Sequence, residues 1–423
     1  MKELEKKVLD YVDEHKDELF GLLSKLIQFD SQNFITHGRE LECQKYIKKL
    51  YEDLGLETEM YSVDDIPGIK EHPGYLPGRG MENRPNVTGV LYGEDRDSMI
   101  MLAAHTDTMP VGDINSWTVD PFGGVIKDGR IYGLGSGDNK FGIASSYFAL
   151  KTLQDCGIKL KKSVALTAYA DEEYGGGDGA LGACLKYPCE TYVNLDGGNY
   201  ELWIAALGGG GFEINVKTRF TTDTVEPVID ALVMIKEKLK PFAARRREEL
   251  HKNPLFTGSD MERSAFRLME FGGGSFGSNL DKGRLRFVIY TDKTKEEIMT
   301  ELDEILEDIR HELDKRNMET DGFKHTTRFF IYQETNDKYG AATEMKKAAE
   351  EVCGHKIKAC GACLSDLSVF LPYGSESSFN FGIIRDFSLY GGAHQPDEYI
   401  ECDQFVNITK SVLLFLLRHC GVA

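Results

Sequence analysis

The sequence predicts an α/β fold in which a three-layer domain is interrupted by a smaller, inserted α+β domain of the ferredoxin-like type. The chain has 423 residues, which is too many for a single compact core. Strand and helix patterns alternate in its first half and resume near its end. Between them lies a stretch with the order β-α-β-β-α-β. The predicted domains are residues 1–211 together with 333–423, and the insertion 212–332.

The first half of the chain predicts helices and strands in alternation. Residues 4–54 carry apolar side chains at helical spacing and predict two helices, and residues 141–153 predict a third. Short apolar runs predict strands at 86–92, 98–104, 124–131 (with an internal turn at 127–130), 163–170 and 192–195. Strands that alternate with helices in this way pack into a sheet covered by helices on both faces.

The inserted part begins after four consecutive glycines at 208–211. Its patterns predict a strand at 212–219, a helix at 225–251, strands at 264–271 and 285–290, a helix at 295–313 and a strand at 326–332. This order is typical of a small open sheet with two helices on one face. The α/β pattern then resumes with a helix near 342–352, an apolar segment at 379–384 and a final helix at 404–417.

The acidic composition argues against two classes of partner. The formal net charge is -19, from 69 acidic and 50 basic residues. Neither nucleic acid nor an anionic membrane attracts such a surface, so we expect no nucleic-acid partner and no membrane partner. No apolar run has the length of a signal-peptide core or a membrane span, and a cytoplasmic location is therefore expected.

The nine cysteines are an odd number at irregular spacing, and they predict free thiols in a reducing compartment. Cys360 and Cys363 formally match C-x-x-C, and Cys184 and Cys189 form another close pair. A structural zinc needs two matched pairs, and a redox site needs the motif at the start of a helix. Ordinary thiols fit the pattern better.

Metal-competent side chains lie at or just after the ends of predicted strands. His105, the pair Glu172 and Glu173, and Asp196 each follow an apolar run. Functional groups of an open α/β sheet collect at the carboxyl ends of its strands, so we expect these side chains to converge. Asp107, two residues after His105, is placed to hold the His105 imidazole from behind with its carboxylate.

Two further candidate ligands, Asp138 and His394, lie in the glycine-rich stretches 135–142 and 391–399. With the strand-end residues they give a donor set of histidine nitrogen and carboxylate oxygen, which suits Zn²⁺, with Co²⁺ or Mn²⁺ as substitutes. Three ligand carboxylates do not fully neutralise two divalent ions. The residual positive charge favours a bound hydroxide, and this hydroxide is a nucleophile near neutral pH. Of the adjacent Glu172 and Glu173, one can face the metal and the other the attacking water.

Each motif taken alone has a plainer interpretation. A Glu-Glu pair such as Glu172 and Glu173 is usually a solvated surface feature, and a His-x-Asp sequence is often incidental. His394 could be a turn residue. The loop around Asp138 could bind phosphate, but it lacks the spacing of a phosphate-binding loop. The occurrence of all the motifs in this order favours the metal site.

Taken together, the motifs resemble the co-catalytic zinc family of aminoacylase, acetylornithine deacetylase, succinyl-diaminopimelate desuccinylase, Xaa-His-type dipeptidases and glutamate carboxypeptidase. The resemblance covers residues 1–207 and 332–423, and segments 117–122 and 128–133 also match the family. It implies a zinc-peptidase-like catalytic domain, a lid domain and two bound Zn²⁺.

The resemblance also implies the ligands of each ion. His105 and Asp196 would bind one zinc, Glu173 and His394 would bind the other, and Asp138 would bridge both. In relatives the peptide bond that follows the bridging aspartate is often cis without proline.

The resemblance implies catalytic roles for two more residues. Glu172 would be the general base that takes a proton from the metal-bridging water and later passes it to the leaving amine. Asp107 would orient His105. Asn279 matches the lid asparagine of the family and would contact substrate.

The lid departs from the family pattern at two points. Relatives carry a histidine after the first lid strand that stabilises the oxyanion, often across a dimer, and residues 216–224 have none. Relatives also place an arginine after a later lid strand, where this chain has residues 288–291, Val-Ile-Tyr-Thr. The cluster Arg245-Arg246-Arg247 is interpreted as the solvated face of a helix, with a substitute carboxylate clamp as the alternative.

The predicted function is dizinc hydrolysis of an amide or peptide bond in a small substrate, such as a dipeptide or an N-acyl amino acid. A dipeptidase, a deacylase and a carboxypeptidase stay open. Two alternatives are a catalytically silent descendant that binds metal or ligand, and an aminopeptidase with an altered lid. The presence of Glu172 argues against the silent descendant. A homodimer also stays open, although the lid histidine usual in dimeric relatives is absent.

Overall fold

The computed structural model describes residues 2–275, 278–362 and 364–423, and for Ser275, Ser278 and Asn279 it describes the backbone alone. The chain forms two compact units. Unit 1 consists of the residues up to Ala205 and of Glu334–Ala423, and unit 2 is Ala206–Gln333. The predicted fold class, α/β with an α+β insertion, is confirmed. That these units fold as separate domains stays a prediction.

The helices of the described residues follow one another along both units. The α-helices are α1 (Lys2–Glu14), α2 (Lys16–Ile27), α3 (Leu41–Asp53), α4 (Phe141–Asp155), α5 (Asp178–Lys186), α6 (Glu226–Lys252), α7 (Asp260–Arg263), α8 (Lys295–Lys315), α9 (Ala341–Cys353), α10 (Leu367–Val369) and α11 (Cys402–Phe415). Short helical turns lie at Val63–Asp65, Ile69–Glu71, Ile114–Ser116, Phe370–Gly374 and Leu416–Cys420. None of these helices is both long enough and apolar enough to cross a membrane.

The strands are listed in chain order. They are β1 (Glu57–Tyr61), β2 (Asn86–Leu91), β3 (Asp95–His105), β4 (Val125–Lys127), β5 (Arg130–Tyr132), β6 (Lys162–Tyr169), β7 (Thr191–Asn194), β8 (Leu202–Trp203), β9 (Ala205–Ala206), β10 (Gly208–Thr218), β11 (Phe266–Ser275), β12 (Ser278–Thr291), β13 (Met318–His325), β14 (Gln333–Glu334), β15 (Ala359–Cys360), β16 (Phe379–Phe381) and β17 (Tyr399–Glu401).

Unit 1 is built on an eight-stranded sheet with the order β1-β2-β6-β3-β7-β16-β8-β15. The central strands β6, β3, β7 and β16 run parallel to their neighbours in this group. Along β3, Ile100 and Leu102 pack into a core cluster with the helices α1, α2, α4 and α11. The alternate residues Met101 and Ala103 pack into a second cluster with α5. Because successive side chains of a strand point to opposite faces, this alternation places helices on both sides of the sheet.

One prediction for unit 1 needs correction. The segment predicted to form two helices forms three, because α1 and α2 are separated at His15, whose φ of -115° and ψ of 19° are not helical. The segment 124–131, predicted as a strand with an internal turn at 127–130, forms the hairpin of β4 and β5 with its turn at that place. Its turn residues Asp128 and Gly129 both have positive φ, 51° and 74°, which is the conformation that tight hairpin turns require.

Unit 2 is a four-stranded antiparallel sheet with the order β11-β12-β10-β13 and the helices α6 and α8. Apolar side chains of both helices form one core cluster with Phe212, Ile214 and Phe287 of the sheet. The strand predicted at 326–332 is wrong, because β13 occupies Met318–His325 instead. β13 is an edge strand with a mostly polar sequence, whereas the apolar run Phe329–Tyr332 that suggested a strand follows it.

The interpretation of Arg245-Arg246-Arg247 as a solvated face is wrong for its central residue. The Arg246 side chain is fully buried in unit 2, where it lies 2.6 Å from a carboxylate oxygen of Glu249 and 2.8 Å from one of Glu301. Its guanidinium also lies 4.7 Å from the ring centroid of Phe242. Arg246 is therefore part of the core of unit 2.

Replacing Arg246 with alanine is expected to lower the free energy of unfolding by about 3 kcal/mol. The reason is that the substitution leaves the carboxylates of Glu249 and Glu301 without their buried positive partner. The matched control is Arg245→Ala, which removes an arginine that also pairs with Glu301 but is 46% exposed. The control should cost less than about 1 kcal/mol, as for other exposed ion pairs. Urea unfolding of both variants tests this prediction, and equal losses would contradict it.

Candidate metal centre

The sheet of unit 1 brings three of the predicted site segments to one edge. In the parallel register His105, at the end of β3, pairs with Tyr169, at the end of β6. Ala103 of β3 pairs with Asn194, at the end of β7. The residues that follow β6 and β7, including Glu172, Glu173 and Asp196, therefore leave the sheet beside His105, as the sequence predicts for the carboxyl ends of parallel strands.

The first of two donor groups is centred on His105. Its Nε2 lies 3.0 Å from Oδ1 of Asp138 and 3.7 Å from Oδ1 of Asp196. Donor atoms of the three residues all lie within 4.8 Å of one another, and all three residues are buried.

The second donor group is centred on His394 and shares Asp138 with the first. His394 Nε2 lies 3.1 Å from Oδ2 of Asp138 and 3.2 Å from Oε2 of Glu173. Asp138 thus turns one oxygen toward each histidine. The side chain of His394 is 32% exposed, so this group is the more open of the two.

The protonation of His105 bears directly on whether a cation fits. Its Nδ1 lies 2.9 Å from the main-chain oxygen of Asp107, and a carbonyl can only accept, so Nδ1 carries a proton. In the neutral ring the lone pair of Nε2 then faces the carboxylates of Asp138 and Asp196. Such an arrangement needs either a second proton or a metal ion between the groups.

The raised pKa values of the two histidines also indicate that a cation fits this cluster. Burial opposes a charge on His105, yet hydrogen bonds to Asp138 and Asp196 and the charge of Glu172 raise its pKa well above the usual range. Burial also opposes a charge on His394, whose pKa the charge of Glu173 and a hydrogen bond to Asp138 raise to about 11. Buried charges are normally paired or coordinate metals, and the nitrogen and carboxylate donors fit divalent cations such as Zn²⁺.

Asp107 approaches His105 more closely through its main chain than through its carboxylate. The nearest carboxylate oxygen lies 3.7 Å from Nδ1, whereas the main-chain oxygen lies at 2.9 Å. The carboxylate instead accepts hydrogen bonds from the main-chain N–H of Glu172 (3.1 Å) and Glu173 (3.1 Å) and from Nδ2 of Asn33 (2.8 Å). The Asp107 carboxylate thus holds the turn after β6, and its role in orienting His105 stays a prediction.

The two adjacent glutamates have different surroundings. Glu173 accepts a hydrogen bond from the main-chain N–H of Met109 on Oε1 (3.0 Å) and faces His394 with Oε2. Glu172 is half-buried and belongs to neither donor group. Burial and the charge of Asp196 raise the pKa of Glu172 well above its ordinary value.

The turn that carries Asp138 is held by a carboxylate that the sequence interpretation missed. Glu398, which is 1% exposed, accepts hydrogen bonds from the main-chain N–H of Gly135 (3.1 Å), Gly137 (2.8 Å) and Asp138 (3.1 Å). The peptide bond between Asp138 and Asn139 is cis. Glu398 lies four residues after His394 in the chain, and that proximity is the one sequence signal that could have identified it.

Replacing Glu398 with alanine is expected to weaken zinc binding by about 10- to 100-fold, because residues that position metal ligands have effects of that size. Glu398→Gln retains one side-chain oxygen as acceptor and should recover part of the affinity. Zinc titration of both variants by calorimetry tests this prediction. It is contradicted if Glu398→Ala binds zinc as tightly as the unmodified chain.

The sequence predicts that Asn279 contacts substrate, and its side chain lies outside the described part of the chain. Its backbone belongs to β12 of unit 2. A role for Asn279 in substrate binding stays a prediction.

Comparison with known proteins places the chain among metallohydrolases. A family model described as peptidase family M20/M25/M40 matches residues 101–418, which include every residue of the two donor groups. An uncharacterised metallohydrolase of Methanocaldococcus jannaschii is 36% identical over 173 residues, which are 40% of this chain and 39% of that protein. The N-formyl-4-amino-5-aminomethyl-2-methylpyrimidine deformylase of Halalkalibacterium halodurans is 28% identical over 198 residues, 46% of this chain and 42% of that protein. The chain thus matches about two fifths of the length of these curated relatives.

Solved structures resemble the chain over nearly its whole length. The crystal structure of human carnosine dipeptidase 1 superposes with a TM-score of 0.71 at 16% identity and covers 99% of both chains. At this identity the likeness shows the fold alone. The resemblance inferred from the motifs is confirmed by the family match, and the chain belongs to peptidase family M20/M25/M40, a family of metal-dependent hydrolases.

Proposed function

We propose that this protein hydrolyses an amide or peptide bond in a small substrate, with two divalent cations bound at the two donor groups and Glu172 as general base. The observation that carries the proposal is the position of Asp138, which turns one carboxylate oxygen toward each histidine. A carboxylate shared between two donor groups is the arrangement that a two-metal site needs.

The cations and the protein residues would have separate tasks. His105, Asp138 and Asp196 would hold one cation, and Asp138, Glu173 and His394 the other. The pair of cations would polarise the scissile carbonyl and make water a competent nucleophile near neutral pH.

Glu172 is the residue best placed to move the proton. Among the described residues none donates a hydrogen bond to its carboxylate, whereas both oxygens of Glu173 are engaged with Met109 and His394. The main chain of Glu172 is fixed by the Asp107 carboxylate. A carboxylate that is free to accept a proton but held in place can take it from water and deliver it to the leaving amine.

The names of the relatives support an amide substrate but differ on its class. One relative is named as a deformylase and one structural neighbour as a carnosine dipeptidase. An N-acyl compound and a dipeptide share the amide bond, and we therefore propose a small amide of either class. Zinc as the native metal and a cytoplasmic location belong to the same proposal, whereas the oligomeric state stays open.

The proposal is tested by hydrolysis of a substrate panel with added Zn²⁺, Co²⁺ or Mn²⁺. The panel contains dipeptides and N-formyl, N-acetyl and N-succinyl amino acids, and Glu172→Gln is the control protein. Release of a free amine by the unmodified chain and its loss in the control support the proposal. Two bound metals with no turnover across the panel would instead favour a silent metal-binding protein.

A further inference from the structure

The turn that follows β6 has a backbone that needs support. Asp171 and Tyr174, on either side of the two glutamates, have positive φ values of 67° and 62°. Left-handed backbone is strained at residues other than glycine and persists where the surroundings determine it. The contacts of this turn are therefore informative about what fixes Glu172.

One arginine contacts the residues on both sides of Glu172. Arg79 lies 2.8 Å from Oδ1 of Asp171 through Nη2, and its Nε donates to the same oxygen at 3.0 Å. The same Nη2 donates to the main-chain oxygen of Glu173 at 2.7 Å. Arg79 is 5% exposed, and this contact set is independent of the ligand atoms of both donor groups.

A second buried ion pair supports Arg79. Arg84 donates from Nη1 to the main-chain oxygen of Arg79 (2.9 Å) and lies 3.1 Å from Oδ1 of Asp171. Its Nε donates to Glu40 at 2.7 Å, and Arg84, Glu40 and Asp171 are all fully buried. The desolvation of four charged groups offsets much of what their pairing contributes, so such a network is a poor source of stability. What it does provide is a fixed position for the turn.

We propose that Arg79 is a positioning residue, which fixes Glu172 for proton transfer by holding Asp171 and the carbonyl of Glu173. From the other side the Asp107 carboxylate holds the N–H groups of Glu172 and Glu173. The main chain of Glu172 is thus held between an arginine and a carboxylate. This inference rests on the proposed function, because it assigns Arg79 a task in the same proton transfer.

The test is the variant Arg79→Lys. Lysine keeps the charge, but it lacks the planar fork that reaches Asp171 and Glu173 together. We expect kcat to fall about 10- to 100-fold, the effect typical of residues that orient a catalytic group, with KM and the zinc content per chain unchanged.

The control for a loss of stability is Arg418→Lys. Arg418 also pairs with carboxylates of unit 1, namely Glu5 at 2.9 Å, Glu351 at 2.6 Å and Glu344 at 3.7 Å, and none of these residues belongs to the donor groups. Arg418→Lys should change kcat less than about twofold, since distant sites act independently. An equal loss of kcat in both variants would overturn the positioning role.

A double variant separates positioning of Glu172 from every other effect. If Arg79 acts through Glu172, then Arg79→Lys added to Glu172→Gln should lower the residual kcat less than about twofold, because residues that act as a unit are not additive. A further tenfold loss in the double variant would show that Arg79 acts elsewhere and would overturn the inference. If Glu172→Gln alone left turnover unchanged, the proposed function would fail first, and this outcome is distinct from a failure of Arg79.

Discussion

Replacing Glu172 with glutamine is expected to lower kcat by about 10³-fold, within the range that general acid–base groups contribute. Glutamine has nearly the size of glutamate but cannot accept a proton from water at neutral pH. The side chain of Glu172 belongs to neither donor group, so the metal content should stay unchanged. Steady-state kinetics on the best substrate of the panel, with metal analysis of the same sample, measure both quantities.

The neighbouring residue supplies the matched control for this variant. Glu173→Gln has the same change in charge one position along the chain, but Glu173 faces His394 at 3.2 Å. This control should lose zinc affinity as well as turnover, whereas Glu172→Gln should lose turnover alone. If Glu172→Gln kept at least half of the turnover, or lost a metal ion, the assignment of Glu172 as general base would be wrong.

The separate roles of Glu172 as base and of Glu173 as metal ligand depend on two carboxylates that accept hydrogen bonds from the main chain. Asp107 accepts N–H groups of the turn after β6, and Glu398 accepts N–H groups of the turn that carries Asp138. The first turn follows β6 of the eight-stranded sheet and the second follows β5, yet both contribute donors to the same two groups, Glu173 and Asp138 respectively. Carboxylate oxygens satisfy buried N–H groups that no strand or helix pairs, and this fixes the ligands before any metal binds.

The sequence predicted the parts of the site that depend on periodicity and chain direction. His105, Glu173 and Asp196 follow apolar runs that form β3, β6 and β7, and parallel strands bring their carboxyl ends together. Asp138 and His394 lie in glycine-rich loops, where no periodicity operates. The motif order suggested them, and their proximity depends on tertiary structure.

The residues that the sequence did not reveal act through the backbone or through distant partners. Arg79 and Glu398 bind main-chain groups of turns that are far from them in sequence, and nothing in the local sequence records such contacts. The spacing of His105 and Asp107 predicts a contact between their side chains, and a side-chain pattern carries no information on the main-chain contact of 2.9 Å. Arg246 resembled a surface residue because its partner Glu301 lies in another helix.

The strand errors have a related cause. β13 is an edge strand, so polar residues are tolerated along most of its length and the apolar signal is weak. Thr320 and Gly322 interrupt the apolar pattern there, and the register against β10 shifts within the same stretch. Hydrophobicity therefore predicts a strand in the more apolar segment that follows β13.

Replacing Asp138 with alanine is the second substitution with a large expected effect. Asp138 is the one residue common to both donor groups, so its loss leaves each group with one histidine and one carboxylate. Catalytic zinc sites normally use three protein ligands. We therefore expect zinc affinity to fall by more than the roughly 10- to 100-fold that loss of an outer partner costs, and turnover to disappear.

Two variants that each remove a ligand from only one donor group test whether the effect is specific to Asp138, which belongs to both groups. Asp196→Ala removes a donor from the His105 group alone, and Glu173→Ala removes one from the His394 group alone. Each should weaken one of two binding events in a zinc titration, whereas Asp138→Ala should weaken both. Because the three variants remove the same chemical group from neighbouring positions, a difference between them reflects which donor group each carboxylate serves. Asp138→Ala with two metals still bound per chain would rule out the bridge, and the loss of a single event would reduce Asp138 to an ordinary ligand of one ion.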